Sequence, residues 1–335
     1  MQFESFIGID VSKRRLDWTL LVANQIKASG QMDNTPQAIR AFLQVLRKQH
    51  QIVISQSVFC REHTGIYNAH LLTVLQQAKA AIWLEDATHI KWSGGLQRGK
   101  NDQIDAQRIA QFAYKNREEV KLWTPPRAVV EQLAALASLR QRLIGAKMQL
   151  QTPLQEADGL VDPAIQKKLG QHCQKTLTAL EKDLAQVEAS IQALIDADEH
   201  LNQLLRKITS VPGIGKVTAT EMIITTNEFK DFSSAKQYAC YGGIVPFEHT
   251  SGSSIPGKSR LSQKANKAIK KLLHLAAMSA IRVKGKFRDY YLRKVAEGKN
   301  KMSVLNAIRN KLVHVVFALV QKQQKYDENY SIAIA

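Results

Sequence analysis

Four carboxylic acids lie at positions where a protein can collect negative charge for a metal ion. Asp10 ends an apolar run, and Glu62 follows a β-branched run. Asp102 and Asp105 lie three residues apart at the start of a predicted helix and so share one helix face. Carboxylate oxygens are the ligands that Mg²⁺ prefers, and an ion among them polarises a phosphate and stabilises a departing 3′ oxygen. The pattern predicts metal-assisted phosphodiester chemistry; for each acid alone, a helix cap or a surface charge is the alternative.

The charge of the chain points to a polyanionic partner. The 335 residues include 47 Lys and Arg against 29 Asp and Glu, which leaves a net charge of +18. Residues 258–311 hold 16 of these cations and two acids, so this segment alone carries +14. Several of its lysines recur at helical spacing. We predict that the segment contacts nucleic-acid phosphates, with a solvated charged face as the alternative.

Composition indicates a soluble protein with sizeable cores. Hydrophobic residues make up 44% of the chain, which suits two or three domains of ordinary size. No apolar run approaches the ~20 residues of a membrane span, and the N-terminus lacks a charged signal-peptide start. The three isolated cysteines suit neither a disulfide framework nor a zinc site. We therefore expect a cytoplasmic protein that does not associate with a membrane.

Residues 3–125 alternate strand and helix patterns, which is typical of an α/β domain. Two strands joined by a tight turn at residues 12–15 and followed by βα units make the order of ribonuclease-H-like folds. The predicted strands are residues 6–11, 17–22, 26–28, 52–59 and 81–84, and the predicted helices are residues 36–49, 67–78 and 102–115.

Beyond residue 125 the apolar spacing is helical in two stretches. The first ends at a predicted break marked by Pro153, Gly159 and Pro163. In the second, leucines and their apolar neighbours follow steps of three and four over residues 177–194, which is the a/d rhythm of a coiled coil. Two interpretations stay open: a helical hairpin that packs on its own chain, and a helix that pairs with a partner chain.

The third region opens with VPGIGK at residues 211–216, between helical segments. Two glycines in such a turn let backbone N–H groups approach a phosphate at the start of the next helix, the arrangement of a helix-hairpin-helix DNA contact. A plain glycine-rich connector is the alternative. Residues 241–254 have neither helical nor strand spacing and are predicted to form a loop that leads into the basic segment.

Five short motifs occur in a characteristic order. They are GID at residues 8–10, E-x-T-G-x-Y at 62–67, D-x-x-D at 102–105, VPGIG at 211–215 and SGSS at 251–254. With these motifs, nearly from end to end, the chain resembles the transposases, or recombinases, of the insertion sequence 110 family. That family is related to the Piv and MooV site-specific DNA invertases.

The resemblance implies an α/β plus α fold. It consists of a RuvC-like, ribonuclease-H-like nuclease domain, a coiled-coil linker and a mainly helical C-terminal transposase domain with a helix-hairpin-helix-like motif. The corresponding segments are residues 1–125, 126–205 and 206–325, with a tail at 326–335. The D-E-D-D tetrad of the family, which acts in catalysis and would hold Mg²⁺ or Mn²⁺, falls on Asp10, Glu62, Asp102 and Asp105.

The resemblance also implies a catalytic serine, which falls on Ser251. A serine hydroxyl is a poor nucleophile at neutral pH and needs activation. Delivered to a metal-bound phosphate, it would form a covalent phosphoserine–DNA intermediate that conserves bond energy for rejoining. Physical reasoning does not choose among Ser251, Ser253 and Ser254, so the choice of Ser251 depends on the motif.

Partners follow from the same resemblance. Donor and target DNA are the expected substrates, and a bridge RNA that pairs with both is the expected guide. Because recombination joins two DNA partners, we expect a homodimer or homotetramer, in the cytoplasm of a prokaryotic cell. The residues expected to contact nucleic acid lie in the glycine turn and the basic segment: Gly213, Gly215, Lys216, Lys258, Arg260, Lys264, Lys267, Lys270 and Lys271.

Three other classes of protein remain as alternatives. A RuvC-like metal-dependent nuclease or junction resolvase would use the four acids without a serine and would form no covalent intermediate. A sugar-kinase or actin-like ATPase can also open with Gly-x-Asp on its first strand, but it leaves the basic segment unexplained. A non-catalytic nucleic-acid-binding protein predicts that substitutions of the acids change nothing.

Overall fold

The computed structural model divides into two compact units, Met1–Pro125 and Pro126–Ala335. These are called unit 1 and unit 2. The predicted division into three domains is finer and stays a prediction. For residues 247–251 and 255–260 the backbone alone is described. The described residues are 3–62, 65–94, 101–157, 159–245, 247–251, 255–260 and 265–327.

Unit 1 is built on a five-stranded sheet. Its strands are β1 (Ser5–Val11), β2 (Arg15–Val22), β3 (Gln25–Asp33), β4 (Ser57–Glu62) and β5 (Ala81–Glu85). Their order across the sheet is β3-β2-β1-β4-β5. The first three strands form an antiparallel meander, whereas β4 is parallel to β1 and β5 is parallel to β4.

Helices cover both faces of this sheet. They are α1 (Pro36–Gln49), α2 (Ala69–Gln77), α3 (Ala87–Ser93) and α4 (Asp102–Lys115). Side chains two apart on a strand point to one face, so Ile7 and Ile9 pack with α1 and α2, while Phe6 packs with α4. Two cores result, one on each side of the sheet.

Gly8 allows α4 to lie directly on β1. A Cβ atom at this position would be 2.2 Å from the carbonyl oxygen of Ala106 and 2.3 Å from the amide nitrogen of Ala110. Both atoms belong to the helix backbone, so any larger side chain would push the helix away from the strand. The glycine of the GID motif is therefore a packing requirement that sets the position of α4.

Most of the elements predicted for unit 1 are confirmed. The third strand is longer than expected, because β3 pairs with β2 along almost its whole length. The strand predicted at residues 52–59 was wrong in part. A 3₁₀ turn at Ile54–Gln56 precedes β4, which begins at Ser57. The predicted helix at 67–78 begins at Ala69, after a 3₁₀ turn at Ile66–Asn68.

Unit 2 is mainly helical. Its helices are α5 (Ala128–Glu156), α6 (Pro163–Ala197), α7 (Glu199–Thr209), α8 (Lys216–Thr225), α9 (Ala235–Tyr241), α10 (Lys267–Ala280), α11 (Lys286–Ala296) and α12 (Lys301–Gln321). Two short antiparallel strands, β6 (Phe247–Ser251) and β7 (Ile255–Arg260), precede α10. Together with unit 1, this confirms an α/β plus α fold in its coarse outline.

The long helices α5 and α6 form an antiparallel hairpin. Ion pairs join Arg140 to Glu188 at 2.7 Å and Lys147 to Glu181 at 2.8 Å. Moving seven residues forward along α5 therefore moves seven residues back along α6. The apolar stripe at residues 177–194 packs within its own chain in this hairpin, and most of its members remain half-buried.

One prediction for unit 2 holds with a shifted boundary, and one was wrong. The predicted break between the two long helices is confirmed, but α5 continues past Pro153 to Glu156 and α6 begins at Pro163. Pro153 lies in the last turn, where its missing N–H donor removes only one intrahelical hydrogen bond. The loop expected at residues 241–254 contains β6, which pairs with β7 beyond it, so cross-strand hydrogen bonds order a segment that lacks apolar alternation.

The helix α12 is the central core helix of unit 2. Its length and mean hydropathy of 1.3 over an 18-residue window would suffice to cross a membrane, but 61% of that window is buried inside the protein. Residues such as Ile308, Leu312 and Val316 are fully buried in the main hydrophobic cluster of the unit. Its apolar character is explained by this packing.

An ion-pair network fastens the start of α5 to the helices of unit 2. Arg127 lies 2.7 Å from Asp198 and 2.5 Å from Glu228, whose side chain is fully buried. Lys230 and His200 approach the same glutamate at 2.9 Å and 3.5 Å. Because a buried carboxylate requires such partners, this network ties together three segments that are distant in sequence.

Candidate active site

Asp10 and Glu62 lie at the same end of two neighbouring parallel strands. Gly8 of β1 is in register with Cys60 of β4. Each acid lies two residues further along its strand, so both extend that row on the face covered by α4. Both acids are half-buried. Parallel pairing thus places side by side two acids that are 52 positions apart in the chain.

The helix α4 brings the other two acids to the same place. Phe6, near the start of β1, contacts Tyr114 in the last turn of α4, with ring centroids 5.5 Å apart. Gly8 lies against the middle of the helix. Since the helix runs antiparallel to β1, its first turn, with Asp102 and Asp105, lies at the carboxylate end of the strand.

The start of α4 is held by residues other than the acids. Asn101 is the N-cap, and its Oδ1 accepts a hydrogen bond of 2.7 Å from the amide of Ile104. Gln103 Nε2 donates to Thr19 Oγ1 of β2 at 3.2 Å. The capping role that was an alternative for Asp102 therefore belongs to Asn101, which leaves the Asp102 carboxylate available for another role.

Electrostatics reflect this concentration of charge. The pKa of Asp10 is raised from its ordinary value of 3.8 to about 6. Burial is the largest cause, followed by the negative charges of Asp102, Glu62 and Asp105, while a hydrogen bond from the Val11 amide opposes the rise. Like charges raise a carboxyl pKa only at short range in a partly buried site. The other three acids therefore all act on Asp10.

The four carboxylates are not closed around one ion position in this structure. Among the described residues, no group of three His, Cys, Asp or Glu side chains is close enough to hold a metal ion. Arg108 Nη1 lies 2.8 Å from the Asp105 carboxylate and engages it. The donor set nevertheless suits Mg²⁺ or Mn²⁺, because hard oxygens are provided and a cation would offset the repulsion felt by Asp10.

Arg61 is a neighbour of the site that no sequence motif marked. Its side chain is fully buried, and its Nε donates to the carbonyl oxygen of Glu62 at 2.9 Å. Burial lowers its pKa to about 10, and the charges of Asp10 and Glu62 act in the opposite direction. In the sequence, an arginine within a strand indicates a solvated residue, so only the fold identifies Arg61 as part of this charge cluster.

The raised pKa of Asp10 predicts a specific dependence of stability on pH. A carboxyl group that binds its proton more tightly when folded stabilises the fold below the unfolded pKa, and this contribution is lost as pH rises through 6. Without divalent metal, the free energy of unfolding of Asp10→Asn, measured relative to that of the unsubstituted protein, should increase by about 1 kcal/mol as pH rises from about 5 to about 8. Urea unfolding in EDTA measures this difference. Asp33→Asn, an exposed acid in the same unit, is the matched control, and equal pH profiles for both variants would contradict the prediction.

Ser251 is the last residue of β6, where its backbone pairs with Ile255 of β7. Its side chain lies outside the described part of the structure, as do Ser253 and Ser254. The described residues therefore place the backbone of the predicted nucleophile at the end of a two-stranded hairpin in unit 2. The tetrad belongs to unit 1.

The two glycines of the predicted DNA-contacting turn have different surroundings. Gly213 has φ of +87°, and a Cβ atom there would be 2.4 Å from the carbonyl oxygen of Ala276 in α10. Gly213 therefore also has a packing role against α10, and its contact with a phosphate stays a prediction. Gly215 is the N-cap of α8 and has open space where its side chain would be, and Lys216 follows it with an exposed side chain.

The predicted lysine contacts divide between described and undescribed residues. Lys258 and Arg260 lie on β7, where the structure describes the backbone alone. Lys264 lies outside the described residues. Lys267, Lys270 and Lys271 lie in the first turns of α10 and line a cavity. Sequence reasoning missed Arg309 on the same cavity, because the apolar pattern of α12 predicts a core helix.

Comparison with known proteins relates this arrangement to two family models. The model described as "Transposase IS116/IS110/IS902 family" matches residues 205–292. A second model, described as "Transposase" and named for the DEDD transposases of IS110, matches residues 7–157. Together they match more than half of the chain, with one model on the sheet and its acids and the other on the glycine turn, the serine hairpin and α10.

Similar proteins include inverting proteins and transposases. The "Pilin gene-inverting protein" of Moraxella lacunata is 25% identical over 97% of this chain and 98% of its own length. The protein of the same name from Moraxella bovis is 24% identical over the same shares. The "Transposase for insertion sequence element IS1111A" of Coxiella burnetii is 24% identical over 69% of each chain.

The site and these matches define the class of the protein: it is an enzyme, a DNA transposase/recombinase. The two matching models and the relatives that align from end to end identify its place within that class. The chain belongs to the IS110 family of transposases. The resemblance inferred from the five motifs is confirmed.

Proposed function

We propose that this protein moves an insertion sequence by cutting and rejoining DNA through a covalent serine intermediate, assisted by a divalent metal ion and guided by a bridge RNA. The carrying observation is that Asp10, Glu62, Asp102 and Asp105 lie at the same end of β1 and β4, where burial and the charges of the other three acids raise the pKa of Asp10. A charge cluster of this kind is costly for a fold and is typical of a catalytic site.

A RuvC-like assignment of unit 1 is part of this proposal. Three antiparallel strands followed by two strands parallel to the first, in the order β3-β2-β1-β4-β5, support it. In this arrangement the acids of β1 and β4 and those of the first turn of α4 reach one place. The same topology would serve the runner-up function, a RuvC-like metal-dependent nuclease or junction resolvase without a covalent intermediate.

The tetrad would hold Mg²⁺ or Mn²⁺. When bound, such an ion supplies polarisation of the phosphate and stabilisation of the negative charge that develops on the departing oxygen. Residues at the site have opposite effects on its charge. Asp10 adds to the negative charge of its neighbours, while Arg108 Nη1 donates to one oxygen of the Asp105 carboxylate and offsets part of that charge.

Ser251 would provide the nucleophile. Its hydroxyl oxygen, after losing its proton to a base, forms a bond to phosphorus, and the bond from phosphorus to the 3′ oxygen breaks. The departing 3′ oxygen takes up a proton, and the 5′ phosphate stays on the serine. Because the number of phosphate ester bonds is unchanged, a second 3′ hydroxyl can reverse the step and join a new strand. A hydrolytic nuclease lacks this second half.

Nucleic-acid contacts would come from unit 2. The exposed start of α8, with Gly215 and Lys216, offers backbone N–H groups and a cation to a phosphate. Lys267, Lys270 and Lys271 add positive charge on α10. Donor DNA, target DNA and bridge RNA all present the same phosphate backbone, so these contacts serve affinity rather than choice of sequence. Such an enzyme would act in the cytoplasm of a prokaryotic cell.

A homodimer or homotetramer would bring two DNA partners together. The face of α6 that contains Leu184 packs on α5, but most of its members are half-buried and leave area for a partner helix. Leu184→Glu, which places a charge in this seam, should lower the assembled fraction at least tenfold. Light scattering of the RNA-bound protein measures it, with Asp183→Asn on the exposed side as control. A monomer both free and bound to nucleic acid would rule out assembly.

A recombination reaction tests the proposed function. Purified protein, with any RNA that copurifies, is incubated with Mg²⁺ and supercoiled plasmids that carry an element end and a target. The proposal requires joined DNA products whose junctions conserve the phosphodiester. Cleaved ends without joining, formed by water, would favour the nuclease instead.

A further inference from the structure

A cavity of about 990 Å³ lies between α10, α12 and the segment before β6. Three lysines of α10 line one side of it: Lys267, Lys270 and Lys271. His274, one turn further along α10, lies beside them. The volume is at the upper end of the ~300–1,000 Å³ of sites that enclose a small molecule. The cavity is thus large enough for a ligand and strongly positive on one side.

Arg309 of α12 lines the same cavity and has no acidic partner in the part of the chain that the structure describes. It is only 6% exposed, and its Nη2 is 2.9 Å from His274 Nδ1. Its Nε has no hydrogen-bond partner among the described residues, and no described Asp or Glu forms an ion pair with it. Burial lowers its pKa. A buried cation is stable when an anion compensates it, and the described lining of the cavity offers no such anion.

The rest of the cavity lining offers hydrogen-bond acceptors and apolar surface. Asn310 Oδ1 and Asn306 Oδ1 are buried and have no partner among the described residues. Asn306 is held in place because its Nδ2 donates to the carbonyl oxygen of Ile244 at 2.7 Å. Ile244 and Met302 provide apolar walls. A ligand that matches this lining has an anionic group, an apolar body and hydrogen-bond donors.

We propose that this cavity binds one nucleotide of an unpaired nucleic-acid strand, with its phosphate at Lys270, Lys271 and Arg309 and its base at Asn306 and Asn310. A nucleotide matches the three properties of the lining, since adenine, cytosine and guanine carry exocyclic amino groups that donate hydrogen bonds. Turning a base out of its stack costs least in a strand that is already single. The inference rests on the proposed function for its nucleic-acid partner and deepens it.

Fluorescence anisotropy of labelled single-stranded oligonucleotides, one DNA and one RNA of mixed sequence, tests the phosphate end. Lys270→Gln/Lys271→Gln should lower affinity about tenfold at 0.15 M salt and reduce the slope of log K against log salt by about 0.7 for each phosphate that is no longer neutralised. Lys284→Gln/Lys299→Gln is the matched control, since both lysines are exposed, belong to residues 258–311 and lie off the cavity. Equal reductions of affinity in the two double variants would overturn the proposal.

The base end is tested with oligonucleotides in which several sugars lack a base. Unsubstituted protein should bind these about tenfold more weakly than intact strands, and Asn310→Leu should bind both alike. If missing bases and Asn310→Leu change nothing, the lysines contact a surface phosphate only and the proposal is wrong. Arg309→Met, checked for folding by its thermal melt, should repeat the weaker binding seen with the lysine variant.

Two further outcomes separate this inference from the proposed function. If millimolar inorganic phosphate competes as effectively as an unlabelled strand, the ligand is a free anion. That result would overturn this inference but not the proposed function. A protein that binds neither the DNA nor the RNA at low salt would contradict the proposed function and the inference with it. The stronger of the DNA and RNA arms identifies which strand the cavity takes.

Discussion

Asp10→Asn and Asp105→Asn are each expected to abolish DNA cleavage while DNA and RNA binding stay within a factor of about two. Each amide keeps the size of the acid but removes a charge that the site needs for a divalent ion. Loss of metal-assisted stabilisation is worth several kcal/mol, so the cleavage rate should fall by about 10³-fold or more. Single-turnover cleavage of labelled DNA measures the rate, and anisotropy measures binding.

The metal dependence makes this prediction specific to the tetrad. In the unsubstituted protein, Mg²⁺ should raise the thermal midpoint at pH 8 because it relieves the repulsion at Asp10, and Asp10→Asn should lose most of that shift. Asp33→Asn should behave as the unsubstituted protein in every assay. Cleavage that survives at a tenth of the normal rate in either tetrad variant would show that the acids serve the fold rather than the chemistry.

Ser251→Ala is expected to remove the covalent protein–DNA adduct completely, with binding of DNA, RNA and metal unchanged. A reaction quenched with detergent should leave the unsubstituted protein attached to one DNA end. The alanine variant has no hydroxyl to attack phosphorus, so the adduct and the joined product should both disappear, at least about 10³-fold below the normal level. Ser251→Cys should keep a trace, because a thiolate is a strong nucleophile but a poor partner for a hard metal ion.

Ser253→Ala and Ser254→Ala are the matched controls, since they remove the same group from the same segment. Both should retain the adduct. Mass spectrometry of the digested adduct locates the nucleotide, and a nucleotide found on Ser253 or Ser254 moves the assignment to that residue. Cleavage without any adduct, together with activity of Ser251→Ala, supports the nuclease that uses water.

Much of unit 1 was predictable because its signals are local. The β1 and β2 runs are apolar and β-branched, and Thr35 followed by a proline marks the start of α1 at the correct residue. Strand and helix propensities act over a few residues and do not require knowledge of the partner element. For the same reason, the D-x-x-D spacing placed Asp102 and Asp105 on one face of α4 before any fold was known.

Other features were beyond local signals. Whether α5 continues past Pro153 depends on the free energy lost with one backbone hydrogen bond in its last turn. The β6–β7 hairpin depends on pairing between segments with weak strand propensity. A glycine in a turn permits close approach, but the sequence did not show that the backbone of α10 is one of the groups that approach Gly213. In each case the deciding atoms are distant in sequence.

The sequence by itself determined the identity of the chemical groups, their grouping into motifs and the position of the basic segment, because charge, nucleophilicity and backbone preference are properties of single residues and their neighbours. Only the tertiary structure decided which groups meet. Parallel pairing of β1 with β4 and the close contact at Gly8 bring four acids to one end of the sheet. Burial, and then the charges of the other three acids, raise the pKa of Asp10 to about 6. Packing of α12 against α10 likewise buries Arg309 beside a cavity, which its place in the sequence does not indicate. Burial and mutual repulsion depend on distance in space, which the order of residues does not contain.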